Sequence, residues 1–224
     1  KMTFERRFAA KKVELRETGH EDRPVEIHGY AAVFNTLSDV LGRRTTGKNT
    51  MELREKISPE AFDNVLDQDT RAFFNHDPNF VLGRRSNGTL ELSVDDVGLR
   101  YVVTPPNTQM VRDMLLEPMK RGDIDQSSFG FILGSKGDKF EEDDNGNMIR
   151  SLVSVEELRD VSPVTMPAYP DATAALRSWG LEENNSEGAD EDNTIIVLQN
   201  KLEDMTTQRD SLQRRLDVFN RFQS

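Results

Sequence analysis

The sequence contains no cysteine and only three histidines, His20, His28 and His76. The first absence removes disulfides, thiolate nucleophiles and cysteine-bearing zinc sites together. The second leaves any imidazole chemistry three residues to choose from. Long apolar runs are missing too, since none approaches the roughly 20 residues that span a bilayer. The N-terminal stretch interleaves Arg6, Arg7, Lys11 and Lys12 with Phe4, Phe8 and Val13 and lacks the apolar centre of a signal peptide. Nor is there an excess of base. A net charge of −11 over 224 residues argues against general affinity for nucleic acid or anionic membrane, either of which needs a basic surface. These absences lead to the expectation of a soluble, cytosolic chain.

What is present reads mostly as strand. Phe4 to Leu15 and Val25 to Phe34 alternate as two strands around a polar turn. Ser58-Pro59-Glu60 has the form of an N-cap, a first-turn proline and an early acid, and predicts a short helix to about Leu66. Arg71 to Asn75 is a short phenylalanine-rich strand. Phe80–Arg84 and Thr89–Val94 flank Asn87-Gly88, a hairpin signal because both turn positions favour positive φ. Leu99 to Thr104 follows the Val97-Gly98 turn. Thr108 to Lys120 predicts a helix with Met110, Val111, Met114 and Leu115 on one stripe, ended by Pro118 and Gly122. Gln126–Leu133, Met148–Val155 and Leu158–Met166 complete the strands, with a glycine- and acid-rich excursion over 134–147. Many short strands and one or two helices predict a mainly β fold: an antiparallel β-barrel with flanking helices.

The composition changes after Trp179. Residues 1–180 form the expected folded domain. Residues 181–193 carry Glu182, Glu183, Glu187, Asp190, Glu191 and Asp192 without a base, the composition of a disordered acidic linker. In 194–224, Ile195, Leu198, Leu202, Met205, Leu212, Leu216 and Phe219 recur at spacings of three and four, interrupted at Arg209. That is the a/d stripe of an amphipathic, coiled-coil helix, either an appendage that binds a partner or a helix that packs back on the domain.

Three segments can carry chemistry. In Asn75-His76-Asp77, the histidine ends a strand and precedes Pro78, which holds Asp77 extended. In Gln126-Ser127-Ser128-Phe129-Gly130-Phe131, strand alternation puts Ser127 with Phe129, Phe131 and Leu133 on one face and Ser128 with Gly130 and Ile132 on the other. Gly130 leaves open space beside Ser128, as a nucleophile approached by a peptide needs. The segment is not a Gly-x-Ser-x-Gly elbow. The third segment runs from Leu158 to Pro170. There Asp160 shares strand parity with Leu158 and Val164, and a carboxylate among apolar neighbours requires a partner, for which a histidine is suitable. Glu156 and Glu157 compete for the same role. Each segment also has a plain structural reading: an exposed histidine, a strand serine, a surface ion pair.

Taken in order, the motifs resemble a family. Gly29-Tyr30-Ala31-Ala32-Val33-Phe34-Asn35, Asn75-His76-Asp77 with Val81-Leu82-Gly83-Arg84, Gly88-Thr89-Leu90, Asp96-Val97-Gly98-Leu99, Ser128-Phe129-Gly130-Phe131, and Asp160-Val161-Ser162-Pro163-Val164 with Pro167-Ala168-Tyr169-Pro170 resemble the prohead, or capsid maturation, proteases of tailed phages over residues 4–178. The resemblance implies a herpesvirus assemblin-like barrel and a serine endopeptidase with His76 as base and Ser128 as nucleophile. Assemblins use a second histidine after the serine. No histidine follows His76 here, so the third role falls to an acid, matched at Asp160, where the family more often has glutamate.

The expected activity is cleavage of the scaffolding segment of the major capsid protein, and of the protease itself, in the host cytoplasm inside the assembling prohead. No metal or organic cofactor is implied, and self-association through 194–224 is a further expectation. Ser162–Ala168 is the candidate source of oxyanion-binding amides. Two rivals belong to other classes. One is a non-enzymatic scaffold or assembly protein working through the C-terminal helix, which loss of the serine would leave functional. The other is a metal-dependent hydrolase built on His76, Asp77 and the Asp95-Asp96 pair, which chelators would inhibit.

Overall fold

A computed structural model describes residues 4–166, apart from residue 10, residues 22–23 and residues 47–48. The linker expected over 181–193 and the helix expected over 194–224 lie outside the described residues, as does the domain boundary at 180. Thirteen strands are present among the described residues: β1 (Phe4–Ala9), β2 (Glu14–Glu17), β3 (Val25–Val33), β4 (Gly42–Thr46), β5 (Asn49–Ile57), β6 (Arg71–Phe74), β7 (Asp77–Arg84), β8 (Leu90–Val94), β9 (Gly98–Val103), β10 (Gln126–Leu133), β11 (Asp138–Glu142), β12 (Met148–Leu152) and β13 (Val155–Val164).

The strands form three sheets, ordered β1-β10-β13-β6-β7, β11-β12-β5-β4 and β2-β3-β9-β8. The fold is therefore mainly β, but the expected closed barrel does not form. Among the described residues, β1 of the first sheet pairs only with β10 and β7 only with β6, so neither edge is closed on another strand. Pairing is mixed rather than purely antiparallel, because β12 runs parallel to β5 and β13 parallel to β6. Sequence alternation shows which face of a core strand is buried. It does not show which edges meet, because that depends on contacts between residues far apart in the chain.

The β2-β3-β9-β8 sheet packs through β3 on β1, β10 and β13. One core fills the space between, and Phe129, Phe131, Leu158, Val161, Ala72, Leu82, Tyr101 and Ala31 all belong to it. Phe62 meets Phe129 edge-on at 5.6 Å, and Phe129 stacks on Phe131 at 4.9 Å between ring centroids. Burying each such ring contributes on the order of 1.5–3 kcal/mol, so the inner face of β10 is a firm floor. Its outer face is where Ser128 points.

Several local expectations change. The long first strand breaks into β1 and β2. Ser58 makes no capping bond, and Pro59–Phe62 forms a single 3-10 turn. Asn87-Gly88 does not close a hairpin between β7 and β8, which belong to different sheets. Gly88, at φ 68°, instead ends the 3-10 turn Arg85–Asn87 at the corner where the chain changes sheet. The real hairpin is β8–β9, closed by Asp95 Oδ1 accepting from the Val97 and Gly98 amides at 2.9 and 3.1 Å. Residues 148–152 return against β11, within the acid-rich excursion.

The helix runs as Gln109–Val111, a π-turn over Arg112–Leu116, and Glu117–Arg121, together α1. Thr108 Oγ1 caps its start and Gly122, at φ 82°, ends it. Pro118 has no N–H to give the preceding turn and its ring crowds that turn's carbonyl, which the wider π-turn relieves. The buried stripe is Val111, Leu115, Leu116 and Met119, of which Val111 and Leu115 were expected, whereas Met110 and Met114 are more than half exposed. No helix among the described residues is long and apolar enough to cross a membrane.

Candidate active site

Three elements of the first sheet supply the site. β10 contributes Ser128, β13 contributes Asp160 and Ser162, and the two-residue loop between β6 and β7 contributes Asn75 and His76. Antiparallel register fixes the first two strands: Ser128 stands opposite Ser162, and Gly130 opposite Asp160. Cross-strand partners share a face, so these four residues lie together on the side of the sheet away from the aromatic core.

The period-two reading of β10 separates the two serines. Ser127 faces the core, where its Oγ lies 2.7 Å from the Tyr101 hydroxyl. Burial pushes the Tyr101 phenol far above its usual range, with the Ser127 hydrogen bond opposing the shift, so both groups stay neutral. Ser128 faces the other way. Gly130, two residues on, has no room for a side chain: a Cβ there would collide with Asp160 Oδ1 and the Phe4 ring. The open space expected beside Ser128 is in fact filled by the Asp160 carboxylate, and glycine is what admits it.

Asp160 reaches this face for a reason the alternation missed. Gly130 pairs with Asp160 but Phe131 pairs with Leu158, so Arg159 is an extra residue in a β-bulge. The bulge turns Leu158 into the core with Val161 and leaves Asp160 on the opposite face with Ser162. The apolar same-face neighbour inferred at Leu158 is therefore absent. The same bulge brings Glu157 round opposite Ile132, yet its carboxylate is exposed and pairs with Arg159 Nε at 3.0 Å. Glu156 is exposed beside Gly134.

The geometry joins three predicted residues. His76 Nδ1 is 2.5 Å from Asp160 Oδ2, and His76 Nε2 is 2.7 Å from Ser128 Oγ. A carboxylate can only accept, so Nδ1 carries the hydrogen and the Nε2 lone pair faces the serine. Ser162 Oγ donates to the same Asp160 Oδ2 at 2.7 Å. Ser128 Oγ has a second acceptor within reach, the Arg7 carbonyl of β1 at 2.9 Å. One hydroxyl hydrogen cannot serve both at once, so Nε2 and the carbonyl compete for it. The site is closed: Ser128 is 0% exposed, and the His76 and Asp160 side chains are each 5% exposed.

His76 is held in an uncommon backbone state. Phe74 pairs with Asp77 across the loop, and Asn75 and His76 have φ values of 55° and 56°. Positive φ at both central positions is what the type I′ hairpin turn requires. Asparagine tolerates this conformation, whereas a histidine in it costs on the order of 1 kcal/mol. Sequence reading put His76 at a strand end but did not find this turn. The clue was an Asn followed by one residue between two short strands.

The other sequence-derived candidates do not converge on His76. Asp77 Oδ1 accepts from the Asn79 amide, and Asp95 is bound to the Tyr30 hydroxyl at 2.6 Å and to its own turn. Among the described residues no group of three or more His, Cys, Asp or Glu side chains could hold a metal ion. Of the Ser162–Ala168 amides, Pro163 has none to offer and that of Thr165 is taken by Asn75 Oδ1 at 2.8 Å; Pro167 and Ala168 lie outside the described residues. Ser162, Asn75 and the Arg7 carbonyl are the site groups whose contacts sequence reading missed.

No curated protein and no solved structure matches the chain. A family does: the sequence profile of the caudovirus prohead serine proteases matches residues 11–187, well over half of the 224, and the chain belongs to that family.

Proposed function

We propose that this chain is a serine endopeptidase in which Ser128 is the nucleophile, His76 the general base and Asp160 the group that orients the imidazole. The observation that carries the reading is the unbroken hydrogen-bonded series Asp160–His76–Ser128 in a member of a serine protease family. Ser128 Oγ attacks the scissile carbonyl carbon while its proton passes to His76 Nε2. The imidazolium then returns that proton to the leaving amine, and water repeats the sequence on the acyl-enzyme. Asp160 keeps Nδ1 protonated, so that Nε2 remains the acceptor, and it stabilises the imidazolium. Ser162 donates to Asp160 Oδ2 and helps hold the carboxylate in place beneath the imidazole. Because Ser128 has no exposed surface, peptide entry requires the groups over it to part.

The substrates in this reading are the scaffolding segment of the major capsid protein and the protease itself, cut inside the assembling prohead. The family supports this. The stripe over residues 194–224 supports a delivery role for that segment, by partner binding or self-association. The test is co-expression with the major capsid protein and intact-mass measurement of the products. Defined cleavage that disappears with Ser128→Ala is the expected result. Undiminished cleavage by that variant would remove the proposal.

A further inference from the structure

We infer that Asn75 is a positioning residue for His76: it sets the left-handed turn that carries the imidazole and latches that turn to the end of β13 through Thr165. The inference rests on the serine-protease reading above and adds a residue to it. It begins with a weakness in the sheet. The β6–β13 ladder contains only two pairs, Asp160 with Arg71 and Val161 with Ala72. Beyond Ala72 a bulge interrupts the β6–β7 register as well. His76 stands four residues past the last β6–β13 pair, at the tip of a hairpin that the ladder no longer holds.

Asn75 supplies the missing link. Its amide donates to Pro163 O at 3.0 Å. Its Oδ1 accepts from the Thr165 amide at 2.8 Å and from Thr165 Oγ1 at 3.2 Å. Three hydrogen bonds thus tie the hairpin tip to residues 163–165 of the strand that also holds Asp160 and Ser162. The base and its orienting acid share one support.

The turn needs that support. Type I′ loops place glycine most readily at the second position, and here it is His76, at φ 56°. An unfavourable backbone state persists where its surroundings over-determine it. Asn75 does so twice, through its own tolerance of positive φ and through Oδ1. The imidazole leaves little tolerance, with contacts of 2.5 and 2.7 Å on its two nitrogens. A displacement of about 1 Å in such an arrangement costs on the order of 10²-fold in rate.

The test uses the full chain and a fluorophosphonate probe, from which serine oxygen displaces fluoride at phosphorus, so no peptide substrate need be known. Intact mass gives the inactivation rate constant and the probe's half-saturation concentration separately. Proton NMR follows the downfield Nδ1–H of His76. Asn75→Ala should lower the inactivation rate constant by about 10- to 100-fold, leave half-saturation within about two-fold, and broaden or remove the Nδ1–H signal. Asn75→Gly accepts the turn without Oδ1 and should still lose several-fold. Asn75→Asp keeps an acceptor oxygen and the tolerance of positive φ, and should restore the signal and most of the rate. Should Asn75→Ala fail to fold, the Asn75→Gly and Asn75→Asp pair decides. Parent rates and an unchanged Nδ1–H signal in Asn75→Gly and in folded Asn75→Ala would overturn the inference. Ser128→Ala and His76→Ala run alongside: if they are labelled at the parent rate, the protease reading itself falls, whereas if only they are silent, Asn75 alone is dismissed.

Discussion

Two buried polar clusters lie on opposite sides of β1, and only one of them is arranged to move a proton. On the core side, Glu5 and Arg7 of β1 meet Glu55 of β5 and Arg150 of β12. Arg7 Nε lies 2.5 Å from Glu55 Oε1, and Arg150 reaches Glu5, Glu55 and Asp138 at 2.7–3.1 Å. Burial acts to lower both guanidinium pKa values; Glu55 at Arg7 and Glu5 at Arg150 outweigh it and hold both above the ordinary value. The cluster is a fixed joint between two sheets. On the other side, Asp160, His76 and Ser128 are as deeply covered, yet the middle member is an imidazole with a free lone pair aimed at a hydroxyl. Arg7 touches both clusters, its side chain in the ion network and its carbonyl on Ser128 Oγ. The difference lies in chemistry rather than burial. Permanently charged partners lock, whereas a group able to take and return a proton can work.

Breaking the second cluster should give the largest effects on rate. Ser128→Ala and His76→Ala are each expected to lower turnover of a capsid peptide by up to about 10⁶-fold, with unfolding midpoints close to the parent. Asp160→Asn comes next. It should leave the fold intact but favour the wrong imidazole tautomer, at a loss of about 10⁴-fold, while Glu157→Gln, whose partner is the exposed Arg159, keeps parent activity. Equal losses in those two variants would remove Asp160 from its assigned role.

Breaking the first cluster should show as stability instead. Arg150→Met leaves Glu5, Glu55 and Asp138 facing one remaining cation, and is expected to cost about 3–5 kcal/mol in urea unfolding. Activity measured well below the transition should survive. If Arg150→Met is neutral in stability but inactive, the two clusters are functionally one. The smallest effect separates the adjacent serines. Ser127→Ala removes the hydrogen bond to Tyr101, worth about 1 kcal/mol, and should cleave at nearly the parent rate.

Much of this contrast could be read in the sequence, and the failures have definite causes. The choice of Ser128 over Ser127 followed from period-two alternation, and the uninterrupted Gln126–Leu133 strand gave it no chance to slip. Asp160 was reached by the same rule, but through a neighbour, Leu158, that the Arg159 bulge moves to the other face. Of the stripe expected in α1, Val111 and Leu115 are buried, whereas Met110 and Met114 are exposed and the buried face continues through Leu116 and Met119 past the π-turn. Asn87-Gly88 marked a turn correctly and a hairpin wrongly, since local φ preference does not say which strand comes back to pair.

The sequence by itself determined the strand-rich character, the absence of thiol chemistry, the scarcity of imidazole and the faces of uninterrupted strands, because these depend on composition and on a backbone period intrinsic to the chain. It also carried the ordered motifs of the family. The tertiary structure alone decided that three open sheets form instead of a barrel, that a bulge turns Asp160 toward Gly130, and that a left-handed Asn75-His76 turn is latched to β13. Each of these depends on pairing between residues far apart in the chain, from Gly130 with Asp160 to Phe4 with Ile132, where register, close approach and shared hydrogen bonds select one arrangement from many that local preference permits.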